Sequence, residues 1–138
     1  MTTIHPFGLA RLIENREPLD LIAVRTEKEF KSFHIAGARS VPLKKLSAPK
    51  VLQDRKRAAS EPLYIIGGGR VQASLAAGIL NGGGYRQAVV VDGGMDAWMS
   101  HGLSVVRKKR FWNHATLLKQ RTLMRMNGGV SLIVRKTA

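Results

Sequence analysis

The chain is 138 residues long, 44% apolar and 23% charged, with a net charge of +14. That composition supports one packed domain, excludes a wholly disordered chain, and leaves no apolar run long enough to cross a bilayer. There is no cysteine, which excludes disulfides, thiolate metal sites and any reaction driven by a cysteine nucleophile of this chain.

In chain order, Pro6 suits a first helical turn, and Leu9, Leu12 and Ile13 follow at helical spacing until Pro18 stops the pattern. The opening stretch meets Glu14 and Glu17 without a long apolar run, so it does not read as a secretory signal. Leu19 to Val24 reads as a buried strand. Thr26 followed by Glu27 and Glu29 predicts a capped short helix, because acids favour a helix amino end. Gly37 and Pro42 bracket a brief strand over Ala38 to Val41. Residues 44–61 are basic and polar and predict a surface helix or loop. Leu63 to Ile66 is the clearest buried strand, broken by Gly67-Gly68-Gly69. Val71, Leu75, Ala76, Ile79 and Leu80 then recur at helical spacing until Gly82-Gly83-Gly84. Ala88 to Val91 predicts another strand. Gly93-Gly94 turns into a short helix carrying Met95, Ala97 and Trp98, closed by Gly102. Strands and helices that alternate, with the strands apolar on both faces, predict an α/β domain: a parallel sheet with helices on both sides.

Two stretches resemble signatures of one family. Arg25-Thr26-Glu27-Lys28-Glu29-Phe30, with His34-Ile35-Ala36-Gly37-Ala38 and Pro42, resembles the first signature of the rhodanese-like domain. Val91-Asp92-Gly93-Gly94-Met95-Asp96-Ala97-Trp98, with Gly102-Leu103, resembles its closing signature. The similarity runs over residues 3–106 and implies a rhodanese-like fold, with a parallel central sheet of about five strands and helices on both faces. In that family a cysteine ends the central strand and opens a loop that leads into a helix. The loop amides point inward and form an anion nest at the helix amino end. The nest stabilises a thiolate, which takes a sulfane sulfur as a persulfide and passes it to an acceptor. An arginine often closes the loop and helps hold an anionic substrate.

Counting back from Gly84-Tyr85, the resemblance places the cysteine position at Gly67 and the closing arginine at Gln72. The loop is then Gly67-Gly68-Gly69-Arg70-Val71-Gln72. A second register makes Arg70 the closing arginine, but it puts the cysteine position on Ile65 inside an apolar strand and lengthens the following helix by two residues. The nucleophile is missing in either register. The Asp that usually precedes Val-Arg in the first signature is Ala23. Three losses of site chemistry beside an intact scaffold point to a domain that kept the fold and dropped the reaction.

The loop can be an empty nest open to sulfate, phosphate or thiosulfate, or a turn that uses glycine for close packing. Arg25, Glu29, His34, Gly37, Gly93, Gly94 and Trp98 read as structural signature residues. Arg25 and Glu29 pair with each other or with loop backbone, His34 bonds a neighbouring loop, and Trp98 lies in the core. His5, His101 and His114 read as surface residues without triad spacing. Ser74 has no histidine placed to activate it and reads as helix interior. No catalytic residue, cofactor or metal is expected.

The chain ends in a different register of charge. Residues 107–138 hold nine of the 23 Lys+Arg and none of the nine Asp+Glu. The break after Val106 predicts a domain over 1–106 and a basic C-terminal extension over 107–138, partly helical or disordered. On a helix, Phe111, Trp112, Ala115, Leu118, Leu123 and Met126 fall within an arc of about 140°. Lys119 interrupts that arc, and Leu117 and Met124 lie outside it. Such a segment can fold back on the domain, lie on an anionic membrane surface or grip nucleic acid. Trp112, Leu118 and Gln120 also resemble a linker that precedes membrane-spanning helices in some rhodanese-like proteins, but Gly128 to Val134 is too short to span.

The expectation is a non-catalytic module that binds a small anion or a protein partner. The alternatives are a sulfurtransferase-related enzyme or sulfur carrier that works with a partner's cysteine, and an accessory protein held to an anionic membrane or nucleic acid by its tail. A cytoplasmic location, with contact at the inner membrane face through the tail, is the corresponding expectation.

Overall fold

The computed structural model describes residues 1–53 and 61–107. Its elements are β1 (Thr2–Ile4), α1 (Pro6–Glu14), β2 (Asp20–Ala23), α2 (Glu27–Ser32), β3 (Phe33–His34), β4 (Arg39–Ser40), a 3₁₀ turn (Leu43–Lys45), α3 (Ala48–Gln53), β5 (Leu63–Ile66), α4 (Arg70–Gly82), β6 (Ala88–Val91), α5 (Gly94–Ser100) and β7 (Val106–Arg107). Five strands form one sheet in the order β1-β6-β5-β2-β4, and β3 pairs with β7 in a second, two-stranded sheet. Every pairing in the large sheet is parallel. β5 is central, and its end is flanked by the ends of β2 and β6. Ligands of open parallel sheets bind beyond the carboxyl ends of such strands.

Alternation of side chains along each strand splits the core in two. On one face Ile22, Val24, Leu63, Ile65 and Val90 pack with Ala48 and Val51 of α3 and with Ala73, Ala76, Ala77 and Leu80 of α4. On the other, Leu21, Ala23, Ile66 and Val91 pack with Leu9 of α1, Met95 and Trp98 of α5, and Ile35. Helices therefore cover both faces, as two-sided apolar strands require.

Local chemistry sets the helix starts. Pro6 opens α1, and His5 Nδ1 accepts the Phe7 N–H at 3.1 Å. Thr26 and Glu29 form a capping box at α2, the hydroxyl accepting the Glu29 N–H and the carboxylate accepting the Thr26 N–H.

The structure corrects the sequence reading in several places. The strands are shorter than the apolar runs that announce them, Asp20–Ala23 within 19–24 and Arg39–Ser40 within 38–41. β1, β3 and β7 carry no strong apolar pattern and were not expected. Within 44–61, α3 is not merely a surface element, because it buries Ala48 and Val51. α4 forms where helical spacing places it and buries Ala76 and Leu80 of that pattern, but its face differs from the rest of it. Its buried face is Ala73, Ala76, Ala77 and Leu80, whereas Val71, Leu75 and Ile79 are exposed. Small alanines let the helix lie close against the sheet, and the larger side chains turn outward. The expectations on residues 108–138, including His114 and the amphipathic arc, lie outside the described residues.

Candidate functional site

β5 ends at Ile66, and Gly67, Gly68 and Gly69 link it to α4. The loop is thus three residues long. Arg70, Val71 and Gln72, expected in the loop, form the first turn of α4. Ile65, the cysteine position of the second register, is fully buried inside β5.

The amino end of α5 holds the loop from the side. The Met95 N–H donates to the Gly67 carbonyl at 2.8 Å, and the Asp96 N–H donates to the Gly68 carbonyl at 2.9 Å. These bonds use amide groups that a helix start leaves unpaired. The approach requires glycine at 94: its φ is +61°, and a Cβ there would lie 2.6 Å from the Gly67 carbonyl oxygen and 2.8 Å from that of Gly69. The closing Gly93-Gly94 signature is therefore the wall that shapes the glycine loop.

Gln72 fills the loop from within. Its side-chain oxygen accepts the Gly68 N–H at 2.7 Å. A Cβ built on Gly67 would meet Gln72 Cβ at 2.7 Å and the Ala73 nitrogen at 3.1 Å. A side chain at the cysteine position and this placement of Gln72 are mutually exclusive. The sequence held a signal for this bond: Gln72 is the third residue of a helix whose cap is Gly69, the place from which a glutamine reaches back to backbone.

The remaining residues surround the loop without converging on it as reactants. Arg70 is exposed, with Nη2 3.9 Å from Asp92 Oδ1. Ser74 donates its hydroxyl to the Arg70 carbonyl at 3.0 Å, a bond within its own helix. Arg25 follows β2 and is buried. Its Nη1 donates to the Phe33 carbonyl at 2.6 Å, and its guanidinium carbon lies 4.5 Å from the Phe33 ring centroid. Of the two pairings open to Arg25 in the sequence, Glu29 or loop backbone, the hydrogen bond formed goes to backbone, but to Phe33 of β3 rather than to a loop. Burial lowers its pKa, opposed by the Glu29 and Asp96 carboxylates. Glu29 is held below the usual carboxylate range, first by the Thr26 hydroxyl, then by the Thr26 N–H, with Arg25 adding a smaller pull against the effect of burial.

His34 does not bond a neighbouring loop as expected: its Nδ1 lies 2.8 Å from the carbonyl oxygen of Phe30 in α2, four residues back, and its ring stacks on Phe30 at 4.0 Å. Gly37 has φ +84°. Trp98 is buried and donates its indole N–H to the Ser104 carbonyl at 3.1 Å. His5 and His101 are exposed, as surface residues should be, but their rings lie 5.3 Å apart and both lie near Phe7, a cluster that spacing alone did not reveal.

The family model for the rhodanese-like domain matches residues 8–101. The chain belongs to the rhodanese-like domain family. It is 26% identical over 102 residues to the uncharacterized protein YibN of Escherichia coli K12, covering 74% of this chain and 71% of YibN. The rhodanese-like domain of the Anabaena sp. Alr3790 protein superposes with a TM-score of 0.68 at 22% identity, covering 82% of this chain and 90% of that one. A rhodanese-like domain protein of Staphylococcus aureus gives a TM-score of 0.59 at 26% identity, covering 71% of this chain and 91% of that one. This rhodanese-like domain has no cysteine anywhere in its sequence, so no thiolate of this chain can carry a persulfide. No helix among its described residues is long and apolar enough to cross a membrane.

Proposed function

We propose that this chain is a rhodanese-like module without sulfur-transfer chemistry of its own, and that it works by binding a partner. One observation carries the reading: the Gln72 amide sits on the Gly68 N–H, and Gly67 has no room for a side chain beside it. A loop whose inward amide already meets an internal oxygen has less to offer a free anion than an open nest. Binding of a protein partner is therefore the form of the module we favour over capture of sulfate, phosphate or thiosulfate.

Thiosulfate-to-cyanide sulfur transfer by the pure protein should stay at background, and steady turnover would overturn the proposal. Titration with millimolar sulfate, followed through the amide shifts of residues 67–72, separates the two binding modes. Gln72→Ala should respond to sulfate more strongly than wild type. An equal and strong response from both proteins would favour the anion-binding form instead.

The charge of residues 107–138 supports a second contribution, attachment to an anionic membrane surface. Co-sedimentation with anionic vesicles should fall when those residues are removed. Unchanged sedimentation would remove the tail from the proposal, and a preference for nucleic acid over vesicles would reassign it.

A further inference from the structure

The groove beside α4 is a feature that neither the fold nor the glycine loop uses. Gly78 and Asn81 of α4 form one side, Thr2 of β1 and Ala88 of β6 the other, and Arg86 follows α4 in the connection to β6. The groove holds about 420 Å³, within the range of small-ligand pockets, about 300–1,000 Å³.

Gly78 keeps it open. This glycine lies in the middle of α4, where glycine is a poor helix former. A Cβ on it would meet nothing within 4 Å, so no neighbouring element requires glycine there. What the absent side chain preserves is the groove.

Arg86 gives the groove its chemistry. It is exposed and forms no ion pair among the described residues. Residues 71–85 contain no charged side chain, and no carboxylate lines the groove. The carbonyls of Ile79, Leu80 and Asn81 already accept the N–H groups of Gly83, Gly84 and Tyr85. A guanidinium with open donors matches a carboxylate, which it can hold through two parallel hydrogen bonds. A phosphate dianion fits less well, because the groove runs toward the carboxyl end of α4, away from the amides of its amino end. The Asn81 amide and the Thr2 hydroxyl add hydrogen-bonding groups, and Ala77, Ala88 and the exposed Met1 add apolar cover.

We propose that this groove is a second binding site, for a small organic carboxylate, with the acid group on Arg86 and an aliphatic body over Ala77 and Gly78. It is separate from the glycine loop, which follows the carboxyl end of β5, whereas Thr2 and Ala88 lie at the amino ends of their strands. The inference therefore does not depend on what that loop binds.

The test is titration of the full chain with hexanoate, followed through amide chemical shifts. Gly78, Asn81 and Arg86 should shift together with one millimolar dissociation constant. Acetate carries the charge without the body, and hexanamide the body without the charge. Each should bind at least about tenfold more weakly than hexanoate. Gly78→Leu fills the groove and should weaken hexanoate by about tenfold or more, while its thermal midpoint equals or exceeds that of the wild type because leucine is the better helix former. Arg86→Gln should weaken hexanoate about tenfold and leave hexanamide unchanged. Shifts confined to residues 67–72 would overturn the inference, as would acetate binding as well as hexanoate, or Gly78→Leu binding like the wild type. Inorganic phosphate binding here more tightly than hexanoate would overturn the assignment to a carboxylate.

Discussion

The closed glycine loop makes a quantitative claim about one substitution. In Gly67→Cys, the new Cβ meets Gln72 Cβ at 2.7 Å and the Ala73 nitrogen at 3.1 Å. The first contact involves the stem of Gln72 rather than its flexible end, so α4 or the loop must move. Overpacking of this kind costs about 1–3 kcal/mol. Displacing Gln72 also breaks its bond with the Gly68 N–H, worth about 1 kcal/mol. The expected total is about 2–4 kcal/mol, or a fall of roughly 8–16 °C in the thermal midpoint of a domain this size. Gly67→Cys combined with Gln72→Gly removes the opposing Cβ, and should recover part of that loss despite the helix cost of glycine, about 1 kcal/mol. Circular dichroism melts measure the stabilities. The rate of thiol reaction against pH reports the cysteine in the double variant, which should ionise below the ordinary value of about 8.5 because the amino end of α4 is reopened to it. If Gly67→Cys melts with the wild type, Gln72 does not occupy the space assigned to it and the reasoning is refuted.

Three further outcomes follow from the same geometry. Gly94→Ala combines φ +61° with backbone oxygens at 2.6 and 2.8 Å, and should cost about 3 kcal/mol or more by chemical denaturation. A neutral cost would mean that the α5 start is free to shift. Glu29 is held below its unfolded value by Thr26. Its contribution is therefore present above the unfolded pKa and lost as pH falls through the folded one. Thr26→Ala should cost about 1 kcal/mol at neutral pH, with the gap to wild type narrowing in acid. A gap independent of pH would rule out the carboxylate as the cause. Trp98→Phe removes the indole bond to the Ser104 carbonyl and some buried volume, and should cost about 2 kcal/mol in a urea melt.

Much of this structure is legible in the residues because local and global preferences agree. Leu63 to Ile66 and Ala88 to Val91 are apolar on both faces, and both form strands at the bounds the sequence predicts. Thr26 with Glu29 marks a helix start, and the capping box forms there. The misses have physical causes. Helical spacing in residues 71–80 fits two faces, one of aliphatic side chains and one mostly of alanine. Hydrophobicity favours the first, while close approach to the sheet selects the second. β1 is a short edge strand whose pairing with β6 is a long-range event that three residues cannot announce. In the loop, the loss of the cysteine is plain from composition, but the closure is not. It depends on where a glutamine four residues away directs its amide.

The glycine loop owes its shape to main-chain bonds from a separate helix, contributed by Met95 and Asp96. Contacts of that kind do not depend on the side chains of the two donors, so long as position 94 stays glycine. They let reactivity at this position come and go as an independent trait, while the surrounding architecture keeps its form and stays free to be recruited for recognition. The same independence makes the loop a tolerant place to graft a new nucleophile, provided position 72 is remodelled along with it.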